Sequence, residues 1–426
     1  MGINLGHERS VALVKDGEIM VAIEQERLDR QKYSLGFMLQ APGVAARIQL
    51  PSEAIRYCLD HCGIALEEVA SITPNMPGQD LAPAIAKKVL PECMTSRIHQ
   101  VPSHHLAHAY SAFWPSGFDQ AIVLVADASG STDAAHQTES YTLYVGQGQQ
   151  LTPLHSERVS AHLAGLSTLG FLYEYITRKA GFISRISGTD MSHAEAGKLM
   201  GLAPFGRHQP HLHSWIQRQE NNYGLKIAAY DIFLEIAALE KLYDTGEGKP
   251  YLRNYLVDLA YKVQQELEQA LLHIVDIAMR KTGLRKLCIA GGIGLNSVAN
   301  YQLLHQLQLE DIFVFPAAGD GGIAAGCALW AYAQSGGGKR ARLTRATLGK
   351  PYERESCQQA IEQFHGAINI EQLSAEEMLE RSAKALSQGN VLARFEGGAE
   401  YGPRALGHRS ILVDPTFERM RDILNA

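Results

Sequence analysis

A repeated opening constrains the fold more than any other feature. The first thirty residues read strand, polar loop, strand, turn, strand: GINL, HERS, VALV, KDGE and IMVAIEQERL. The same grammar returns at residue 121. There AIVLVAD runs into the small-residue loop ASGS, then SYTLYV, the turn GQGQQ and LTPLHSER. The DG and GQG turns supply the positive-φ positions that a hairpin requires. Two such three-stranded openings, about 120 residues apart, indicate a duplicated α/β unit. Length agrees, because 426 residues exceed the ~250–300 at which a single core stops growing.

Helical patterns follow each opening. SEAIRYCLDHCG (52–63) and DLAPAIAKKVL (80–90) have helix-type spacing in the first half, and residues 252–283 form a long amphipathic pattern that ends at Gly283 in the second. KLCIAGGIGLNSVAN and DIFVFPAAGDGGIAAGCALWAY each read as a buried strand, a glycine loop and a helix start. Such loops let backbone N–H groups approach phosphate at a helix N-terminus. Two related lobes with matching loops predict a nucleotide held in the cleft between them. From about residue 345 a new unit begins: the helix SAEEMLERSAKALSQG, the strand NVLARFEGG and the basic loop YGPRALGHRS. Arg404, His408 and Arg409 in that loop are candidates for holding an oxyanion substrate, since a guanidinium grips such a group through paired hydrogen bonds. The domain boundaries are thus 1–120, 121–344 and 345–426. The last of these is short beside a typical domain of ~100–150 residues, and a shortened form is the expectation.

The stretch SHHLAHAYSAF (103–113) places three histidines within five positions and contains no acid. On a helix His104 and His108 share one face, about 6 Å apart along the axis. A lone pair of this spacing more often bonds backbone or water. Here small and apolar neighbours imply burial, so the imidazoles need partners. Asp127 in LVADASG and Asp320 in PAAGDGG each follow a buried strand, where a cleft would form. Two imidazoles and two carboxylates suit Fe(II), Mn(II) or Zn(II). His105 points away from that face and is read as a supporting or structural group.

Charge and cysteine usage exclude other classes. The net charge of −6 gives no general attraction for nucleic acid. No run of eighteen apolar residues predicts a membrane span, and MGINLGHERS lacks the basic and apolar regions of a signal peptide. Six cysteines without a C-x-x-C pair read as buried thiols in a reducing cytoplasm.

Together the stretches HHLAHAYSAF, GKLMGLAPFG, AGGIGLNSVAN, AAGDGGIAAGCALW and EYGPRALGHRSILVDP, with the opening GINLGHERSVALVKDGEIMVAIEQERLDRQKY, resemble the NodU/CmcH/TobZ-type O-carbamoyltransferases. The resemblance covers essentially the whole chain. It implies an α/β fold of duplicated actin-like (ASKHA, ribonuclease-H-like) lobes, followed by a YrdC-like α/β unit that is incomplete here. It also implies an ATP-dependent carbamoyltransferase. The carbamoyl group of carbamoyl phosphate would pass through carbamoyl-adenylate to a hydroxyl of a small molecule such as an antibiotic.

Carried over by motif, the metal ligands are His104, His108, Asp127 and Asp320, with iron implied. Nucleotide contacts fall on Gly130, Ser131, Lys198, Gly291, Gly292 and Asn296, and Asp320 also belongs to that set. Lys198 and Arg404 join His7 as catalytic candidates, His7 being placed to orient or deprotonate the acceptor hydroxyl. Glu24, Arg27 and Lys32 fit the family's acidic–basic opening and equally fit structural ion pairs. The chain departs from the family pattern at Glu8 and Arg9, at Tyr33 where a histidine is usual, and in DASGS, which bears on the identity of the acceptor. The expected partners are a small-molecule hydroxyl acceptor and either a second copy of the chain or a separate YrdC-like protein. A catalytically silent nucleotide-binding subunit and a threonylcarbamoyl-type transferase are the competing readings; the four intact ligands argue against the first, and the acidic charge and YGPRALGHRS against the second.

Overall fold

In the computed structural model, which describes residues 1–34, 50–78, 82–185, 192–244, 246–364 and 366–425, the first opening folds as three antiparallel strands. These are β1 (Gly2–Asn4), β2 (Ser10–Lys15) and β3 (Glu18–Glu24). Asp16 and Gly17 take φ of 52° and 79°, the left-handed pair that a two-residue hairpin needs. Helix α1 (Ser52–Cys62) buries Ala54, Ile55 and Cys58 and stops at left-handed Gly63. The chain then returns as β4 (Thr73–Asn75), parallel to β1. The pattern predicted over 80–90 is helical from Ala82 to Val89; Asp80 and Leu81 lie outside the described residues.

After α2 (His104–Phe113) the second opening forms β5 (Gln120–Ala126), β6 (Gln137–Gln147) and β7 (Gln150–Ser160), again antiparallel. Helices α3 (Leu169–Lys179), α4 (Ala196–Leu202) and α5 (Asn254–Thr282) follow. The chain then adds β8 (Lys286–Ala290) parallel to β5, α6 (Ser297–Gln306), β9 (Asp311–Val314) parallel to β8, and α7 (Ile323–Gln334). The sheets run β3-β2-β1-β4 and β7-β6-β5-β8-β9. Each has three antiparallel opening strands, then parallel additions: β4 in the first sheet, β8 and β9 in the second. This is the duplicated actin-like, ribonuclease-H-like arrangement that the resemblance implies.

Side-chain alternation along β5 sets the layers. Ile122, Leu124 and Ala126 enter the large core that α5 supplies with Leu267, Leu271 and Ile274. Ala121, Val123 and Val125 face the other way and pack with Ala109, Ala112 and Phe113 of α2. Helix α7 crosses α2 very closely: a Cβ at Gly326 would lie 1.9 Å from the Ala107 carbonyl oxygen. Only glycine permits that approach, and the crossing brings the histidine helix to the loop that carries Asp320. Among the described residues no helix is long and apolar enough to cross a membrane.

The chain divides into two compact units, Met1–Leu343 and Thr344–Ala426. In the second, α8 (Ala375–Ser387) opens with a capping box between Ser374 and Glu377. Strands β10 (Leu392–Phe395) and β11 (Arg409–Leu412) pair antiparallel.

Candidate metal centre

Ser103 caps α2 by accepting the Leu106 N–H, so the helix starts at His104 and its first turn sits beside the ends of the second sheet. His104 and His108 are fully buried, and Asp127, one residue beyond β5, is nearly so. Asp320 opens the turn before α7. One ligand atom from each of these four residues lies within 4.8 Å of every other. His108 Nε2 is 3.3 Å from Asp127 Oδ2 and 3.5 Å from Asp320 Oδ1; His104 Nε2 is 3.8 Å and 3.4 Å from the same atoms. Ligands bonded at ~2.1 Å to a common cation stand about 3.0 Å (octahedral) to 3.4 Å (tetrahedral) apart. The spacing therefore matches a coordination shell.

Both His Nε2 atoms and Asp127 Oδ2 are buried and make no hydrogen bond, although buried polar atoms normally find partners. The donor set, two imidazoles and two carboxylates, fits a divalent cation. The Asn75 side chain at the end of β4 fixes His104. Its Oδ1 lies 2.8 Å from His104 Nδ1, which places the proton on Nδ1 and turns the Nε2 lone pair inward.

Charge compensation points the same way. Burial opposes a charged His104, but the Asp320 and Asp127 carboxylates outweigh it and raise the imidazole to about 10. Burial likewise pushes the two carboxyls up, while the histidines around them hold both below the usual carboxylate range. Without a cation, a proton on His104 helps balance the acids.

The other sequence-predicted residues distribute around this cluster. His7 Nε2 lies 3.2 Å from Asp320 Oδ2, and its buried Nδ1 has no hydrogen-bond partner. Ser131 Oγ accepts the His104 N–H at 2.9 Å. At Gly130 a Cβ would strike Glu139 and His105 within 2.7 Å. Gly291 joins both acid-bearing segments: its N–H donates to the Ala318 carbonyl, and a Cβ there would lie 2.2 Å from the Ala126 oxygen. A Cβ at Gly292 would meet only Asp127 Oδ1, at 3.3 Å, so this position borders open space beside a ligand. Asn296 is otherwise engaged, capping α6 at the Ala299 N–H and exchanging hydrogen bonds with Gln264. Lys198 lies on the exposed side of α4, 4.0 Å from Glu195.

In the second unit, Glu400 accepts backbone N–H groups of Leu406, His408 and Arg409 and so shapes the basic loop. The Arg409 guanidinium is spent on the Glu396 and Gly397 carbonyls and stacks 3.5 Å above Phe395. His408 Nδ1 also bonds the Glu396 carbonyl, whereas Arg404 is exposed.

Three supporting residues escaped the sequence reading. Asn75 ends a three-residue strand without a motif. Glu139 gathers the N–H groups of His105 and Ser131 and the Arg158 guanidinium. Thr142 bonds His105 Nδ1 at 2.8 Å, and burial draws His105 down to about 4, so that ring is a neutral strut. Alternation along β6 would place Glu139 and Thr142 on opposite faces; the register shift between Glu139 and Tyr141 brings both to His105.

Comparison with known proteins adds a family. Residues 68–329 match the family described as carbamoyltransferase N-terminus, and residues 383–426 the one described as carbamoyltransferase C-terminus. The chain is 29% identical to the uncharacterized protein sll1178 of Synechocystis sp., over 98% of this chain and 71% of that one. It is 31% identical to the nodulation protein NolNO of Sinorhizobium fredii, over 99% of this chain and 60% of that protein. With the 3'-hydroxymethylcephem-O-carbamoyltransferase of Amycolatopsis lactamdurans the identity is 25%, over 99% and 74% respectively.

Proposed function

The chain belongs to the carbamoyltransferase family, and we propose that it is an ATP-dependent O-carbamoyltransferase acting on a hydroxyl of a small molecule. Carbamoyl phosphate is the donor and carbamoyl-adenylate the intermediate. The observation that carries this reading is the buried set of His104, His108, Asp127 and Asp320, whose inward atoms lack partners at the ends of strands and loops from both sheets. Ligands of α/β folds commonly bind beyond such strand ends.

A divalent cation held by these four residues, iron(II) in this reading, would supply positive charge against the phosphate oxygens. The backbone at Gly130–Ser131 and Gly291–Gly292 borders the same place and offers N–H donors to phosphate. Burial of the cluster excludes water, which would otherwise hydrolyse a carbamoyl-adenylate. His7, with Nε2 committed to Asp320, presents Nδ1 to the acceptor. There it receives the hydroxyl proton while the acceptor oxygen bonds the carbamoyl carbon, and the bond from that carbon to the phosphate oxygen of AMP breaks. Lys198, on the exposed side of α4, reaches for nucleotide phosphate. Asn296 holds the start of α6 behind the glycine loop. Residues 1–120 and 121–344 act as the two lobes, and residues 345–426 as the YrdC-like part, where Arg404 takes the carbamoyl phosphate oxyanion on a loop stiffened by His408 and Arg409.

The test is mass spectrometry of products after incubating the chain with iron(II), a panel of hydroxylated metabolites and either ATP with isotope-labelled carbamoyl phosphate or pre-formed labelled carbamoyl-adenylate. The expected result is an acceptor that gains one labelled carbamoyl group, with AMP released, and loss of that product in His7→Asn. Absence of any carbamoylated product across the panel would refute the proposal.

A further inference from the structure

Beyond α7 the chain crosses the hairpin turns of both sheets before the second unit begins at Thr344. On the first sheet the Ala341 N–H donates to the Gly17 carbonyl at 3.4 Å. The Lys339 carbonyl lies so close to Gly17 that a Cβ there would collide with it. On the second sheet the Gln149 side chain, between β6 and β7, donates to the Gly338 carbonyl at 2.6 Å. The Leu343 N–H donates to the Pro115 carbonyl, just past α2, at 2.9 Å. Residues 338–343 thus form a strap over both sheets and the end of the histidine helix.

Arg340 fastens that strap. Its Nε and Nη2 donate to the Trp114 and Phe113 carbonyls at 3.2 Å and 2.5 Å. Its Nη1 donates to the Phe118 and Gly148 carbonyls at 2.9 Å and 2.6 Å. The guanidinium also lies 4.0 Å from the centre of the Phe113 ring. The last carbonyls of a helix have no partner within it, and a positive charge there complements the helix dipole. A rigid fork of donors reaches several acceptors together, which the point charge of a lysine does not.

The strap holds one end of strands whose other end carries the acids. Strand β2 ends at the Asp16–Gly17 turn and begins at Ser10, whose hydroxyl donates to the Gly321 carbonyl beside Asp320 at 2.7 Å. Strand β5 begins at Gln120, paired with Gln147 next to the β6–β7 turn, and ends one residue before Asp127. Its 7 residues span about 23 Å, so a swing of about 3° at the turn end shifts Asp127 by about 1 Å.

We propose that Arg340 is a positioning residue for the cation site. By fastening the strap it fixes the angle between the two sheets, and with it the distance from Asp127 to Asp320. This rests on the cation reading of the four residues. With the strap loosened the sheets still fold, but the two acids no longer keep one coordination distance.

The experiment follows manganese(II) binding to the whole chain by calorimetry after chelator treatment, with folding checked by circular dichroism. Arg340→Ala removes the fastening. Gly17→Asn keeps a residue type that tolerates left-handed backbone, leaves Arg340 in place and pushes the strap off the first sheet. Ile236→Ala, at a buried position outside the strap and the ligand set, controls for loss of stability alone. Both strap variants should bind manganese(II) about tenfold more weakly, the scale of a lost supporting contact at a metal site. The electron paramagnetic resonance spectrum of the bound ion, which reports ligand symmetry, should change in both. Ile236→Ala should match the unaltered chain in affinity and spectrum. Unaltered affinity, or an unaltered spectrum, in Gly17→Asn or in a folded Arg340→Ala would overturn the positioning role and leave the cation site standing. An equal weakening in Ile236→Ala would also overturn it, since that marks a general effect of stability. If the unaltered chain binds no manganese(II), the cation reading itself falls and the role of Arg340 with it.

Discussion

Replacing Gly291 by alanine tests how the two acids are held together. The residue sits at φ 87°, donates to the Ala318 carbonyl two positions before Asp320, and packs on Ala126, directly before Asp127. A Cβ would lie 2.2 Å from the Ala126 oxygen and 2.7 Å from its carbonyl carbon. Relief to an ordinary C···O contact of ~3.3 Å needs about 1 Å of movement, either of β5 or of the glycine loop. Left-handed backbone costs an alanine about 1–2 kcal/mol, and forced repacking a further ~1–3 kcal/mol. The sum, roughly 2–5 kcal/mol, is a large part of a typical stability of ~5–15 kcal/mol. Gly283→Ala is the control: its φ is 71°, and nothing lies within 4 Å of the added Cβ, so only the backbone cost of about 1–2 kcal/mol applies. Urea unfolding of the chelator-treated chain measures both. Manganese(II) or zinc(II) titration then reads the site, where a ~1 Å misplacement of Asp127 should weaken binding by about 100-fold. If Gly291→Ala loses no more stability than Gly283→Ala and binds the cation as before, the proposed coupling of the two loops is wrong.

Two further outcomes follow from the same geometry. His104 stands at about 10 in the folded chain against 6.5 as its ordinary value; its contribution is fully present below pH 6.5 and lost as pH rises through about 10, on the order of 5 kcal/mol. The chelator-treated chain should therefore weaken in urea from about pH 6 to about pH 9, a bound cation should remove that decline, and a flat profile without cation would contradict the assignment. Asn75→Ala frees His104 to take the wrong tautomer, so calorimetry should show cation affinity lower by about 10–100-fold, and the buried Nδ1 left without its partner should lower stability in urea by about 1–3 kcal/mol.

How much of this was legible beforehand depended on the range of the signal. The hairpin at Asp16–Gly17 and the stop at Gly283 are local, set by backbone chemistry that a few residues encode, and the repeated strand grammar carried the duplicated α/β plan. The helical spacing of His104 and His108 put them on one face without any knowledge of the sheets. What places them against Asp127 and Asp320 is tertiary: the α2–α7 crossing at Gly326 and the tether at Gly291. Neither leaves a pattern in the neighbouring residues. Asn75 is invisible for the same reason, since its role depends on β4 pairing parallel to β1 across about 70 residues. At Asn296 and Arg409 the residue types suggested ligand contacts, yet their polar groups bond Gln264 and local backbone instead, a competition that only packing decides. Tyr33 stood out as an unusual residue, but its ring partner His193 lies far along the chain, so that contact could not be read from either segment.

The central claim, that His104, His108, Asp127 and Asp320 form one cation site, is tested most directly by metal content. The purified chain is dialysed against iron(II) under anaerobic conditions and analysed by elemental mass spectrometry, beside His108→Ala and Asp320→Asn, each checked for folding by circular dichroism. The account predicts one cation per chain in the unaltered protein and a near-complete loss in both folded variants. A folded His108→Ala that keeps its full complement of metal would contradict it.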